Sequence, residues 1–265
     1  MAAHLCVTCG TQFPPSAEPP SECSICLDER QYVGAEGQQW TTAEELRETH
    51  HSRVEEIEPG LVGIGVEPSF AIGQRALHVE SLLWDCVPLV DDSVVQAIET
   101  IAVSHPHYYT TIVEWGRAFG APVLVHEGDR EWAVRREGVT FWTGESRDVV
   151  PGVRLVHCGG HFSGSAILHW APGADGRGVL LTGDTIQVLP DNRQVSFMRS
   201  YPNMIPLPAS EVTRIAGIAC ARPFERIYGA FWDRDLTSDG PRRVQESAER
   251  YVAWLNGRGT DAPVS

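Results

Sequence analysis

The stretch SHPHYYTT, residues 104–111, is the part of the sequence that decides the fold. It follows the apolar run VVQAIETIAV at 94–103 and carries two histidines one residue apart, His105 and His107. In an extended segment, side chains two residues apart point to the same side. Two imidazoles at the end of an apolar segment can therefore hold one metal ion, but a complete site needs further ligands.

Two further polar clusters follow apolar runs that are typical of strands. GGHFSGS at 159–165 follows VRLVHC and contributes His161, and LLTGD at 180–184 ends in Asp184. Loops that are positioned by a rigid sheet are where binding chemistry concentrates. Imidazoles and a carboxylate are ligands that suit Zn²⁺ or Fe²⁺. The sequence therefore offers three histidines and one aspartate for a metal site.

Short β-like runs alternate with helical stretches through the larger part of the chain. Hairpin-like pairs come first and strand–helix alternation follows, which predicts a mixed α/β (α+β) fold with sheets covered by helices. The predicted strands are LVGIGV (61–66), RALHVESLLWDCV (75–87), PVLVH (122–126), GVTFW (138–142), VRLVHC (153–158), SAILHW (165–170) and GVLLTGD (178–184). The predicted helices are VVQAIETI (94–101), YTTIVEWGRAF (109–119) and VQESAERYVAWLNG (244–257).

The order of the three polar motifs resembles the metallo-β-lactamase superfamily. Asp85, in LLWDC, matches the aspartate that ends the opening hairpin of that superfamily, and APVLVHEGD resembles its next strand. The resemblance covers residues 59–233. It implies an αββα sandwich with the metal site in a cleft at one edge of the two sheets.

The first motif of the superfamily, H-x-H-x-D-H, is degenerate in this chain. Tyr109 stands at the position of the aspartate, and Thr110 stands at the position of the last histidine. The superfamily also has a histidine late in the chain, but here the corresponding stretch is RIYGAFWD at 226–233, and no histidine follows His169. The resemblance therefore implies that the ligands of a second metal are lost.

The ligands of the first metal are retained. The resemblance assigns them to His105, His107 and His161, with help from Asp184, which bridges two metals in the superfamily. We therefore expect one ion and an open position for water, as a catalytic site requires. Asp233 could replace the missing histidine, although its surroundings, RIYGAFWDRD, favour a surface carboxylate.

Two residues are candidates for catalysis. Asp184 is the candidate base for a metal-activated water, and Tyr109 could stabilise an oxyanion as a neutral phenol or bind metal as a phenolate. The alternative for Tyr109 is that it packs beneath the site. Other histidines, at 78, 126, 157 and 169, are interpreted as structural. The region of Arg199, Tyr201 and Asn203 could be a polar pocket wall or an ordinary surface loop.

A cysteine-rich module precedes this domain. Residues 6–26 read CVTCGTQFPPSAEPPSECSIC, two C-x-x-C pairs thirteen residues apart, and four thiolates form a closed tetrahedral site. So short a segment cannot bury enough apolar surface to fold without a metal. The module resembles a zinc ribbon or rubredoxin, and zinc is favoured over iron because Leu27, not glycine, follows the second knuckle. The ligands are Cys6, Cys9, Cys23 and Cys26, and two disulfides are the alternative.

The chain divides into three predicted parts. Residues 1–32 form the four-cysteine module, residues 33–58 form a connector, and residues 59–265 form the metallo-β-lactamase-like domain. The connector sequence WTTAEELRETHHSRVEEI at 40–57 predicts a helix, with Thr41 or Thr42 as its N-cap.

Composition limits the partners. A formal net charge of −14 disfavours a nucleic-acid partner, because that affinity depends on cationic residues. No apolar run is long enough for a membrane span, and the first residues, MAAHLCVTCG, do not predict a secretory signal. Seven cysteines, an odd number with three scattered singly, favour a reducing compartment. We expect a cytoplasmic protein that acts on a small molecule, with the ribbon as a surface for a protein partner or a homo-oligomer.

Three functions are compatible with these residues. The favoured one is a mononuclear metal-dependent hydrolase of a small ester, thioester, lactone or amide. The second is an iron-dependent redox or lyase enzyme, which would suit a rubredoxin-like module, although too few ligands remain for a di-iron site. The third is a non-catalytic scaffold. Fold does not fix function, and β-lactamase activity is not expected without an export signal.

Overall fold

Two β-sheets lie face to face and helices cover their outer faces, which is the αββα sandwich that the sequence predicts. The computed structural model describes residues 1–91 and 97–259. No helix within those residues is long and apolar enough to cross a membrane.

The N-terminal module contains a two-stranded sheet and leads into a helix. Strand β1 (His4–Cys6) pairs with β2 (Trp40–Thr42), and helix α1 (Ala43–Thr49) follows directly. Thr42 is the N-cap, and its side chain and that of Glu45 form the reciprocal capping box. The predicted helix start is therefore confirmed.

The predicted helix does not continue to residue 57. Residues from His51 to Glu58 form strand β3, which pairs antiparallel with β4 (Leu61–Glu67). Helix α1 ends at His50, whose backbone is extended. Gly60, in the turn between β3 and β4, has a positive φ of 84°. Pairing with a buried neighbour outweighs local helix propensity here. The domain boundary after residue 58 remains a prediction, and it falls within this hairpin.

The first sheet has seven strands that lie in chain order. After β3 and β4 they are β5 (Ala76–Val79), β6 (Leu82–Trp84), β7 (Thr100–Ala102), β8 (Val123–His126) and β9 (Val139–Trp142). Pairings up to β6 are antiparallel, and those from β6 to β9 are parallel. Helix α2 (Ile112–Phe119) lies between β7 and β8.

The helix predicted for 94–101 is wrong where the structure describes it. Residues 94–96 lie outside the described residues, Ala97 has a positive φ of 60°, and Thr100–Ala102 is the strand β7. A short apolar run does not distinguish a buried strand from a helix. Here Thr100–Ala102 lies between β6 and β8 and pairs parallel with both, in a place where both faces of the sheet are covered.

The second sheet has six strands, with two small hairpins and three helices around it. The strands and helices in chain order are β10 (Ser146–Val150), β11 (Val153–His157), β12 (Ala166–Trp170), α3 (Gly173–Gly176), β13 (Val179–Leu181), β14 (Gln187–Val188), β15 (Val195–Ser196), β16 (Met198–Ser200), β17 (Ile205–Pro206), α4 (Ala209–Ala219), β18 (Arg226–Tyr228), β19 (Asp235–Leu236) and α5 (Gly240–Leu255). The sheet order is β10-β11-β12-β13-β18-β19. The pairs β14–β15 and β16–β17 form the hairpins, which lie between β13 and β18 in the chain.

Three apolar cores correspond to the three interfaces between layers. The central core lies between the sheets and contains Trp84 and Trp170. A second core joins the first sheet to α2 through Trp115. The third joins the second sheet to α4 and α5 through Ile215 and Val244. Burial of apolar surface at these interfaces fixes the strand ends that carry the polar motifs.

Glu58 connects the two sheets at one edge. Its carboxylate accepts hydrogen bonds from the Tyr228 hydroxyl at 2.6 Å and the Ala174 amide at 3.0 Å, and it pairs with Arg226. The side chain is buried, so both donors depend on it.

We expect Glu58→Ala to lower the free energy of unfolding by about 3 kcal/mol, because it leaves buried donors unpaired. Glu56→Ala is the matched control, since Glu56 is an exposed glutamate on the same strand. Urea denaturation measures both. Equal losses in the two variants would show that Glu58 does not connect the sheets.

Candidate metal centres

His105 and His107 are positioned by a sharp change of backbone after strand β7. His105 is extended, with φ −171°, and Pro106–Tyr108 forms a single 3₁₀ turn. Pro106 at the first helical position fixes the start of that turn. The ring centroids of the two histidines lie 5.1 Å apart, so the H-x-H motif brings both imidazoles to one place, as predicted.

His161 lies on the loop between β11 and β12. Glycines allow this loop to pass close to its neighbours: a Cβ at Gly164 would lie 2.7 Å from the Asp129 Cγ. The Gly164 amide donates to the Asp129 carboxylate at 2.6 Å, and the Phe162 amide donates to the Ser165 hydroxyl at 2.8 Å. The first bond holds the loop against the 3₁₀ turn that follows β8, and the second lies within the loop.

Asp184 follows strand β13 on a turn that packs beneath the H-x-H motif. A Cβ at Gly183 would lie 2.5 Å from the Ser104 Oγ, so only glycine allows this approach. Asp85, the aspartate of the opening hairpin, accepts the Ser104 amide at 2.7 Å. Burial raises the pKa of Asp85 to about 8. Asp85 therefore supports the segment that carries the histidines.

The four predicted ligands converge on one point. One candidate ligand atom from each of His105, His107, His161 and Asp184 lies within 4.8 Å of all the others. The His161 Nε2 is 3.3 Å from the His107 Nδ1, and the His105 Nε2 is 3.7 Å from an Asp184 oxygen. We call these four residues the His/Asp group. Their exposed fractions are 1%, 2%, 1% and 5% in chain order.

The protonation states of the His/Asp group suit metal binding. Burial lowers the pKa of His161 to about 3 and holds that of His107 well below its usual value. Burial raises the pKa of Asp184, but its contacts with His105 and Tyr108 outweigh this and hold it below the usual value. At neutral pH His107 and His161 are therefore neutral imidazoles, and Asp184 is an ionised carboxylate.

Hydrogen bonds direct two imidazole nitrogens into the group. The Met198 carbonyl, 3.0 Å away, can only accept, so the Nδ1 of His161 carries the proton and its Nε2 presents a lone pair. The Nδ1 of His105 contacts the Ser104 hydroxyl at 2.8 Å. Among the described residues, the His105 Nε2 has no hydrogen-bond partner although it is buried. A buried unpaired nitrogen is costly, and a divalent ion at this point would satisfy it.

Tyr108, not Tyr109, reaches the His/Asp group. The Tyr108 hydroxyl donates to Asp184 Oδ1 at 2.8 Å and leaves the other carboxylate oxygen facing His105. Tyr109 packs in the core beneath α2, and its hydroxyl lies 3.5 Å from the Asp129 carbonyl. The geometry therefore supports the packing alternative for Tyr109. Spacing within the motif could not separate these adjacent tyrosines, because the 3₁₀ turn decides which one points inward.

The other sequence candidates lie outside the group. Asp233 is exposed, as the surface alternative predicts. Tyr201 donates to the Asp184 and Ser196 carbonyls at 3.2 and 3.0 Å, so it supports the loop that carries Asp184. His126 and His157 stack with centroids 3.9 Å apart and bond to backbone carbonyls, which agrees with a structural role.

The sequence gives no signal for Arg30, which lies beside the His/Asp group. Its guanidinium Cζ lies 3.7 Å from the centre of the Phe162 ring, and it donates to the His161 carbonyl at 3.2 Å. Phe162 in turn packs against His107, with centroids 4.9 Å apart. Arg30 belongs to the N-terminal module, so only the tertiary structure brings it here.

The second candidate metal centre is the four-cysteine group. The Sγ atoms of Cys6, Cys9, Cys23 and Cys26 all lie within 4.8 Å of one another and are buried. The two closest pairs are 3.6 Å apart, whereas a disulfide needs about 2.0 Å. The thiols are free, so the geometry supports a metal site rather than two disulfides. The Gln38 amide donates to the Cys6 sulfur at 3.1 Å, which would stabilise a thiolate.

Comparison with known proteins identifies the family. The Bacillus subtilis (strain 168) protein YmaE, described as uncharacterized, is 45% identical over 269 residues, which cover 97% of this chain and 98% of YmaE. The chain belongs to the YmaE family. No protein-family model matches it.

Solved structures show which fold this YmaE-family chain has. A B3 metallo-β-lactamase with an active site glutamic acid has a TM-score of 0.53 at 15% identity and covers 82% of this chain and 94% of its own. DIM-1 metallo-β-lactamase has a TM-score of 0.55 at 12% identity, with coverages of 75% and 97%. A Hirschia baltica metallo-β-lactamase has a TM-score of 0.52 at 12% identity, and the match covers 76% of this chain and 97% of its own. The predicted metallo-β-lactamase fold is confirmed.

We expect Tyr108→Phe to weaken metal affinity of the His/Asp group by about tenfold, because partners that orient a ligand contribute 10- to 100-fold. Tyr109→Phe is the matched control and should change it less than twofold, since its hydroxyl does not reach the group. Competition with a chromophoric chelator measures both. A larger loss in Tyr109→Phe would contradict this assignment.

Proposed function

We propose that this protein is a metal-dependent hydrolase that uses one ion, held by His105, His107, His161 and Asp184, to cleave a small ester, thioester, lactone or amide. The observation that carries the proposal is the convergence of three imidazoles and one carboxylate within 4.8 Å. Zn²⁺ is the favoured ion for this donor set, and Fe²⁺ is the alternative.

Individual residues of the chain have separate roles in the proposed reaction. An ion bound here would supply Lewis acidity, which polarises a carbonyl and makes water more acidic. Asp184 would accept the proton of the attacking water, and its oxygen that faces His105 lies toward the place of the ion. Tyr108 holds the other oxygen and so fixes the orientation of the carboxylate. The catalytic role predicted for Tyr109 has no supporting contact, and Tyr108 takes its place in the proposal.

One observation favours a second function. All four residues of the His/Asp group are at least 95% buried, whereas a catalytic site must admit substrate. A structural ion in a non-catalytic scaffold would account for the same burial. The cytoplasmic location, the small-molecule substrate and the lack of a nucleic-acid partner remain predictions.

Metal content by elemental analysis tests the proposal on the full chain. We expect about two ions in the wild type and one each in His105→Ala and Cys26→Ser, because each variant loses one ligand of one group. A panel of small esters, thioesters, lactones and amides is then hydrolysed by the wild type and not by His105→Ala. One ion in the wild type that persists in His105→Ala would contradict the hydrolase.

If two ions are present and the panel is not hydrolysed, the scaffold function is favoured instead. A colourless two-ion protein would also exclude iron in the cysteine group, because iron–thiolate centres absorb visible light. The two readouts therefore separate the three functions that the sequence leaves open.

A further inference from the structure

The His/Asp group is covered by the N-terminal module. The cover is residues 28–31, DERQ, which we call the strap. Arg30 is its central residue and is only 6% exposed. Its guanidinium lies over the Phe162 ring and bonds to the His161 carbonyl, so it closes the face of the loop that carries a ligand. Asp28 pairs with the same guanidinium at 2.9 Å and neutralises its charge.

The strap is fastened to the hairpin β16–β17. The Asn203 side-chain amide donates to the carbonyls of Glu29 and Gln31 at 2.9 and 2.8 Å. The Ser200 hydroxyl donates to the Arg30 carbonyl at 3.2 Å. This hairpin also supplies the Met198 carbonyl that holds His161. One short hairpin therefore joins the strap to a ligand of the His/Asp group.

The other end of the strap continues from the cysteine group. Cys26 lies two residues before it, and the Leu27 amide between them donates to the Cys23 carbonyl at 3.0 Å. The module also docks beside the H-x-H motif, where the Gln12 amide donates to the Thr110 carbonyl at 2.9 Å. An ion in the cysteine group would hold the module together and so hold the strap in place.

We propose that the strap is a closing element of the His/Asp group, which opens to admit a small molecule and whose closed position depends on the ion of the cysteine group. What enters rests on the proposed function. The contacts of the strap with the hairpin are hydrogen bonds from side chains to backbone carbonyls and one solvent-accessible ion pair, Arg199–Glu29. These contacts can break without disturbing the three apolar cores. The burial of the His/Asp group, which a scaffold would also explain, then corresponds to the closed state of an enzyme.

Asn203→Ala tests the strap directly, because it removes two hydrogen bonds to the strap and touches no ligand. Elemental analysis first determines whether the His/Asp group holds an ion. If it does, the probe is the rate at which a chelator extracts that ion from the full chain. If it does not, the probe is the rate at which diethyl pyrocarbonate modifies His105, His107 and His161, followed by peptide mass spectrometry.

We expect Asn203→Ala to raise either rate about tenfold, the effect of losing two ordinary hydrogen bonds on an opening equilibrium. Asn256→Ala is the matched control, since Asn256 is exposed at the end of α5, and it should leave the rate unchanged. The modification of exposed His51 is the internal reference and should also stay constant.

Equal rates in Asn203→Ala and the wild type would overturn the strap as a closing element. Cys26→Ser should raise the rate as well, and an unchanged rate in that variant would overturn the dependence on the cysteine group. Ion content tests the proposed function. The ratio of the rate in Asn203→Ala to the rate in the wild type tests whether the strap is a closing element. The two proposals can therefore fail separately.

Discussion

The structure depends on one constraint: three imidazoles and a carboxylate meet where water scarcely reaches them. Burying polar groups without partners is costly. The chain supplies partners from outside the group to three of their atoms, through the hydroxyls of Ser104 and Tyr108 and the Met198 carbonyl. The atoms that point inward have only one another, and an ion would satisfy them together. The close approach at Gly183 makes this convergence possible.

The segment that follows the H-x-H motif packs against the N-terminal module. At the two positions where the superfamily pattern has second-metal ligands, Tyr109 packs into the core and Thr110 offers its carbonyl to Gln12 of the module. A Cβ at Gly10 would lie 3.4 Å from the Thr110 side chain, so the module is in van der Waals contact with the large domain here. Tyr109 and Thr110 therefore take part in packing in this chain.

Much of the fold and most of the ligand set could be predicted from the sequence. Apolar runs ending in polar clusters located His161 and Asp184, because strand ends converge at one edge of a sheet. The helix predicted at 94–101 failed because a short apolar run carries no information on its pairing partners. The contact of Tyr108 with Asp184 was not predicted, because the motif does not specify which of two adjacent tyrosines a single 3₁₀ turn directs inward. Arg30 was out of reach, since its contacts join residues 131 positions apart.

The central claim is that two metal centres of different chemistry lie in one chain. Anomalous diffraction from crystals of the full chain, at the absorption edge of the metal found by elemental analysis, tests it most directly. We predict two peaks. One has four sulfur atoms at about 2.3 Å, and the other has three nitrogens and one oxygen at about 2.0–2.1 Å, as for zinc. A single peak among the cysteines, with His105 unliganded, would contradict the account.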